Sequence, residues 1–275
     1  MHSVMRKIFQ DAALQADFDR DGYVVLPWLS AEEVSELVER YDRLPTVAQK
    51  GFFAALFSES PEFKRGCHQL LADLGRDFAA KHLVDYRPLI GSFVVKVPGN
   101  DSVMPCHQDW TFVDERKYAT LNLWCALTTT TFENGALHLL PGSHRLEPNI
   151  RGTLHPTCFA EGASVSLKDM ACVPIEAGRV IVHDHRVLHA SPPNLSKQRR
   201  LATAICMVPT EADVFHYFQN PASGRLEVYG IDTDFFFNYT FGKNTIPVGS
   251  PFIRFDDGYR PVCFSKESLS RLINA

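Results

Sequence analysis

A His-x-Asp step, His107-Gln108-Asp109, lies inside the run Pro105-Cys106-His107-Gln108-Asp109-Trp110. On an extended strand side chains alternate with period two, so this imidazole and carboxylate share a face and can converge on one ion. A third, nitrogen ligand is offered by the run Val180 to His189, which carries His183, His185 and His189, the last of them eighty residues past Asp109. Two imidazoles and one carboxylate form the facial triad of non-haem Fe(II) oxygenases, which leaves coordination positions for an organic co-substrate and O2. A lone His-x-Asp tripeptide arises by chance, and buried histidines are more often hydrogen-bonded core residues than ligands. A second feature is therefore required.

That feature follows His189. Ala190 and Ser191 lead into a polar turn, Pro192 to Gln198, and then Arg199-Arg200 opens the apolar strand Leu201 to Ile205. A hairpin of this shape returns an arginine to the His189 strand, where its planar fork can grip a dicarboxylate in a way lysine cannot. Adjacent residues point oppositely, so only one of Arg199 and Arg200 faces the site, and Arg200 is preferred. On a regular strand His183 and His185 would share the face of His189 and compete with it, but the Ser191 and Arg200 spacings favour His189. His138 and His144 fit better as a strand and a turn residue. Pro141-Gly142-Ser143 reads as a turn rather than a phosphate cradle, because no helix start with a following lysine is evident.

The elements that must position these residues change character along the chain. Gly22 to Leu29 reads as a short strand. Ser30 then stands three residues before Glu33 as a capping box, and Val34, Leu37, Val38, Tyr41 and Leu44 follow at helical spacing up to Pro45. A second helix is expected within Pro61 to Leu83. From Ile90 the chain turns to short Val-, Thr- and aromatic-rich runs: Phe93–Val97, Ala119–Thr128, Ala136–Leu140, Gly178–His189 and Leu201–Val208. Such runs, without intervening helices, indicate a sandwich or barrel rather than βαβ units. No repeat or long linker divides the chain, so residues 1–275 read as one domain with early helices on the outside of a β core. The aromatic cluster Phe235 to Phe241 reads as core more readily than as substrate box.

Composition removes several classes. Of 275 residues, 45% are hydrophobic and 22% charged, which is ordinary globular usage. Lys and Arg total 28 against 32 Asp and Glu, a net charge of −4 with no block of like charges, so nucleic acid and anionic membranes are not expected partners. Seven widely spaced cysteines without a C-x-x-C step indicate neither a disulfide framework nor a zinc knuckle. The first residues lack a signal-peptide apolar core, and no window is apolar enough to span a membrane. The expectation is a cytoplasmic monomer acting on a small molecule.

Taken together, His107-Gln108-Asp109, the stretch Glu133-Asn134-Gly135-Ala136-Leu137 running to Pro141-Gly142-Ser143-His144, and His189-x-Ser191 with Arg200 eleven residues after His189 resemble the phytanoyl-CoA dioxygenase family of Fe(II)/2-oxoglutarate oxygenases. The resemblance extends back to Asp21-Gly22-Tyr23-Val24-Val25 and covers roughly residues 15 to 210. It implies a mainly β, double-stranded β-helix (jelly-roll, cupin-like) core with flanking helices. It also implies iron held by His107, Asp109 and His189, with O2 and 2-oxoglutarate as co-substrates and succinate and CO2 as products. Arg200 matches the arginine on the distal carboxylate of 2-oxoglutarate, and Ser191 the hydroxyl at the same end. Trp124 corresponds to an aromatic lining the co-substrate, Asn122 shares its strand face, and Lys96 resembles a basic residue reaching that pocket. Iron halogenases lack the carboxylate, so Asp109 disfavours halogenation. The rival reading is a non-redox cupin-like metal protein or a zinc hydrolase using the same three ligands, for which Arg200 beside Ser191 has no purpose. The substrate reads as a free small molecule, since no basic cluster supports CoA binding. Trp110, Thr111, Phe112 and the aromatics between 215 and 241 are expected to line its pocket.

Overall fold

The computed structural model describes residues 6–45, 47–155, 157, 159–243 and 245–273. Helix α1 (Ala12–Asp21) is capped by Asp11, whose carboxylate accepts from the amides of Ala13 and Leu14, and it stops at Gly22 in left-handed backbone with φ of 81°. Strand β1 (Tyr23–Pro27) leads to α2 (Ala31–Asp42), where Ser30 and Glu33 close the capping box read from the sequence. Strand β2 (Phe52–Ala54) precedes α3 (Pro61–His82), which opens with a proline in its first turn behind the cap Ser60. Helix α1 has no counterpart among the sequence expectations.

The β core comprises β3 (Tyr86–Lys96), β4 (Met104–His107), β5 (Leu121–Ala126), β6 (Leu137–Leu139), β7 (Ala171–Val173), β8 (Arg179–Asp184), β9 (His189–Ser191) and β10 (Arg200–Pro209). Its strands form two antiparallel sheets that do not close into a barrel. One has the order β1-β8-β5-β10-β3-β2 and the other β4-β9-β6-β7. Alternation along the strands divides the six-stranded sheet into two apolar faces. Phe93, Val95, Leu121, Leu123 and Val182 pack outward against Leu37, Tyr41, Phe63, Leu71 and Phe78 of the helices. Trp124, Ala126, Ile181 and Ala202 face inward and meet Leu137 and Leu139 of the smaller sheet. The result is the mainly β, jelly-roll core with outer helices that the sequence led us to expect. The C-terminal part adds a third sheet of β11 (Phe215–Gln219), β12 (Leu226–Gly230) and β13 (Phe252–Phe255), with helices α4 (Thr233–Asn238) and α5 (Lys266–Ile273).

Two local expectations are corrected. The run Gly178–His189 is not one strand: it breaks after Asp184, whose carboxylate accepts from the amide of Arg186 at 2.8 Å and pairs with the Arg186 guanidinium at 2.5 Å. The amide of Val187 also donates to Asp184 O at 2.9 Å, which closes the turn. His183 and His189 thus belong to different sheets. The segment from Pro192 to Arg199 is likewise not a hairpin but a crossover, because β9 lies in the smaller sheet and β10 in the larger. Asn194 ties this crossover down by donating to Lys96 O at 2.9 Å and Gln198 O at 2.8 Å. Among the cysteines, 67, 106, 125, 172 and 206 are free, whereas Cys263 is disulfide-bonded, a departure from the expectation of no disulfide. Cys158 lies outside the described residues.

Candidate active site

Pairing of β4 with β9 sets His107 directly opposite His189, with ring centroids 4.2 Å apart. Each ring is fixed by a carbonyl two residues earlier: His107 Nδ1 donates to Pro105 O at 2.8 Å and His189 Nδ1 to Val187 O at 2.9 Å. A carbonyl only accepts, so Nδ1 carries the proton and Nε2 keeps its lone pair, which is the tautomer a metal ligand needs. Burial pushes both imidazoles down to about 4, which keeps them neutral at physiological pH. The two Nε2 atoms lie 3.9 and 3.8 Å from Asp109 Oδ1, and one ligand atom from each of the three residues falls within 4.8 Å of the others. This set of two neutral nitrogens and one carboxylate fits a divalent first-row metal with open positions.

Asp109 reaches this point differently from the sequence expectation. It lies past the end of β4, so strand alternation does not aim it. Its amide donates to His185 O at 3.0 Å, and its carbonyl accepts from Arg151 Nε at 2.9 Å. Arg151 is itself buried and held in a two-pronged pair with Glu115 at 2.6 and 2.7 Å. Neither Arg151 nor Glu115 was found by sequence reasoning, because both stand in irregular segments with no motif or period to mark them.

The triad opens into a cavity of about 440 Å³ between the two sheets, a size typical of small-molecule sites. Asn122, Trp124, Ser191 and Arg200 line it, as do Trp110 and Phe112. Asn122 Nδ2 donates to Asp109 Oδ2 at 3.2 Å. Arg200 is 1% exposed, with its guanidinium 5.1 Å from the Trp124 ring centre. Nη1 has only a long contact of 3.5 Å to Gly135 O, and Nε and Nη2 have no partner among the described residues. Burial pushes its pKa down to about 9. An unpaired guanidinium in such a place calls for an anion. Arg199 points the other way, to Asp42 at 2.7 Å on the surface.

Two expected lining residues lie elsewhere. Lys96 is buried with its ammonium donating to Ser102 O at 2.5 Å, Ser191 O at 3.2 Å and Pro192 O at 2.6 Å, so it has no proton left for a ligand. Thr111 turns away and donates to Asn149 O at 3.3 Å. The C-terminal aromatic cluster serves both purposes weighed for it. Phe235, Phe237 and Tyr239 are core residues, while Phe236 and Phe241 reach the cavity and Phe241 stacks on Trp110 with centroids 5.0 Å apart.

Comparison with known proteins places these features in context. The family model described as phytanoyl-CoA dioxygenase (PhyH) matches residues 18–202. A phytanoyl-CoA dioxygenase of Arabidopsis thaliana is 31% identical over 130 residues, which is 46% of this chain and 46% of that protein. The chain therefore spans about half the length of this curated relative. Among solved structures, the epimerase SnoN in complex with Fe3+, alpha ketoglutarate and nogalamycin RO aligns with a TM-score of 0.55 at 22% identity, covering 90% of this chain and 97% of that one. EvdO2 from Micromonospora carbonacea var. aurantiaca, complexed with 2-oxoglutarate, aligns with a TM-score of 0.51 at 22% identity over 74% of this chain and 94% of that chain. At this identity the two structures speak to the fold.

Proposed function

The chain belongs to the phytanoyl-CoA dioxygenase family, and from that premise we propose that it is an Fe(II)- and 2-oxoglutarate-dependent oxygenase oxidising a C–H bond of a small organic molecule. The observation that carries this reading is the juxtaposition in one cavity of the His107, Asp109 and His189 cluster with the unpaired, buried guanidinium of Arg200. A zinc hydrolase or a non-redox metal protein explains the first but not the second.

In this reading His107 Nε2, His189 Nε2 and one Asp109 oxygen hold the metal. Arg200 and Ser191 hold the distal carboxylate of 2-oxoglutarate, with Trp124 bracing the Arg200 guanidinium. When bound, iron and 2-oxoglutarate supply the oxidising power by activating O2. The chain's own work is positioning. The carbonyls of Pro105 and Val187 keep the ligand nitrogens bare, and Asn122 and Arg151 fix the Asp109 carboxylate and backbone. The apolar walls exclude water from the reacting centre. Because Phe236 and Phe241 contribute to the same cavity, we read the C-terminal part as belonging to the same catalytic unit. Among the described residues no helix is long and apolar enough to cross a membrane.

The test is 2-oxoglutarate turnover. With Fe(II) and O2 the purified chain is expected to release succinate, and His107→Ala, Asp109→Ala and His189→Ala are each expected to abolish that release. Hydrolytic activity with Zn(II) and no succinate with Fe(II) would count against the proposal.

A further inference from the structure

Among the described residues, four that line the cavity keep buried polar atoms without a hydrogen-bond partner: Gln108, Asn122, His185 and Arg200. The Arg200 atoms are donors and have a place in the reading above. The other three, Gln108 Oε1, Asn122 Oδ1 and His185 Nε2, are acceptors. Their roles are fixed by their opposite ends. Gln108 Nε2 donates to Arg186 O at 2.6 Å, and Asn122 Nδ2 donates to Asp109 Oδ2 at 3.2 Å. His185 Nδ1 lies 2.9 Å from Trp110 O, which only accepts, so in the neutral ring Nε2 keeps the lone pair.

Of the three, His185 brings a ring nitrogen close to the Asp109 carboxylate. His185 is 3% exposed, and its Nε2 stands 3.9 Å from Asp109 Oδ2, too far for a bond. Asp109 Oδ2 already accepts from Asn122 Nδ2, so the acceptor left without a donor is His185 Nε2, at a cost that a donor on a bound molecule removes. The rest of the cavity limits what carries that donor. Among the described lining residues only Asp109, Arg151 and Arg200 bear formal charge, and Arg151 is already paired with Glu115. With Arg200 assigned to the co-substrate, no lining cation remains for an acidic or phosphorylated substrate. The remaining wall is mainly aromatic and aliphatic, with Phe52, Leu56, Trp110, Phe112, Phe236 and Phe241 prominent.

We propose that His185 Nε2 is the acceptor that receives a hydroxyl group of an uncharged substrate with an apolar body, making His185 a specificity-determining residue. This rests on the oxygenase reading for its account of Arg200. Selection works through the penalty on competitors: a molecule that fills the cavity but brings no donor leaves His185 Nε2 buried and unpaired.

The experiment uses three probes on one rigid apolar body: 1-adamantanol, its methyl ether and the corresponding carboxylate. Binding is measured by calorimetry without oxygen, on the chain with and without Fe(II) and 2-oxoglutarate, for the wild type, His185→Phe and His185→Gln. The wild type is expected to bind the alcohol roughly tenfold more tightly than the ether, as one buried hydrogen bond provides, with the carboxylate weakest. His185→Phe should bring alcohol and ether to within about twofold, while His185→Gln, which returns an acceptor near the Nε2 position, should restore part of the preference. Equal affinity for alcohol and ether in the wild type, no binding of the alcohol, a preference that survives His185→Phe, or tighter binding of the carboxylate would each overturn the assignment. Loss of Fe(II) or 2-oxoglutarate binding by the wild type would instead overturn the oxygenase reading, and the alcohol preference measured without them stands apart from that outcome.

Discussion

Lys96 and Arg200 stand opposite each other across β3 and β10, two buried cations in register whose hydrogen bonding is opposite. The Lys96 ammonium is saturated by three carbonyls, while the Arg200 guanidinium keeps two of its nitrogens unpaired beside the cavity. The first pins the crossover that follows Ser191. The second leaves a positive charge waiting for an anion.

Arg200→Met is therefore expected to move stability and binding in opposite directions. Removing an unpaired buried charge should raise the thermal midpoint of the chain without 2-oxoglutarate, since such groups cost about 1–3 kcal/mol or more. The same change should weaken 2-oxoglutarate binding on the order of 100-fold, about 3 kcal/mol, while Fe(II) still binds. Melting curves and co-substrate titration check both, and unchanged co-substrate affinity would remove Arg200 from its role.

Lys96 makes stability depend on pH. Burial, and then the neighbouring Arg200, push its pKa from 10.5 down to about 7. The unfolded chain thus holds this proton over an interval in which the folded chain has released it, and stability should rise between about pH 7 and about pH 10. Denaturant midpoints at pH 7 and pH 9, compared with those of Lys96→Met, isolate the contribution. The wild type should gain on the variant as pH rises, and a constant difference would contradict this.

Breaking the Arg151 to Glu115 pair should be costly. Arg151→Met leaves a buried carboxylate unpaired and is expected to cost about 3–5 kcal/mol in stability. It also removes the donor on Asp109 O, so Fe(II) affinity should fall about 10- to 100-fold. The double variant Arg151→Met with Glu115→Leu should recover stability but not metal affinity. Recovery of both would show that Arg151 does not position Asp109.

Gly135 is expected to resist substitution. It has a φ of +86°, and an added Cβ would meet Pro192 O at 2.7 Å and Lys96 Cδ at 2.8 Å. Gly135→Ala should destabilise the chain by about 1–3 kcal/mol. It should also weaken 2-oxoglutarate binding, because Gly135 O is the contact of Arg200 Nη1. Calorimetric melting with a co-substrate titration checks both.

Much of this was legible in the sequence where a local pattern has a local cause. The Ser30 and Glu33 box, the helix under Pro61 and the short β runs all report interactions between near neighbours. Spacing and family resemblance single out His107, Asp109, His189, Ser191 and Arg200, which line one cavity. What escaped depends on contacts between distant segments. The strand break at Asp184 comes from a single turn-forming carboxylate inside an apolar run. The saturation of Lys96 comes from carbonyls brought in by the crossover loop, and the Arg151 to Glu115 pair joins two irregular segments. Phe236 and Phe241 show the same limit: an aromatic cluster looks alike in sequence whether it fills a core or lines a cavity.

The most direct measurement is an anaerobic titration of the chain with Fe(II) and 2-oxoglutarate, followed by visible absorption. The account predicts the weak charge-transfer band of a 2-oxoglutarate chelate at one equivalent of each. The band should be absent in His189→Ala and should require a much higher co-substrate concentration in Arg200→Met. A band that persists unchanged in His189→Ala, or none in the wild type although both components bind, would contradict it.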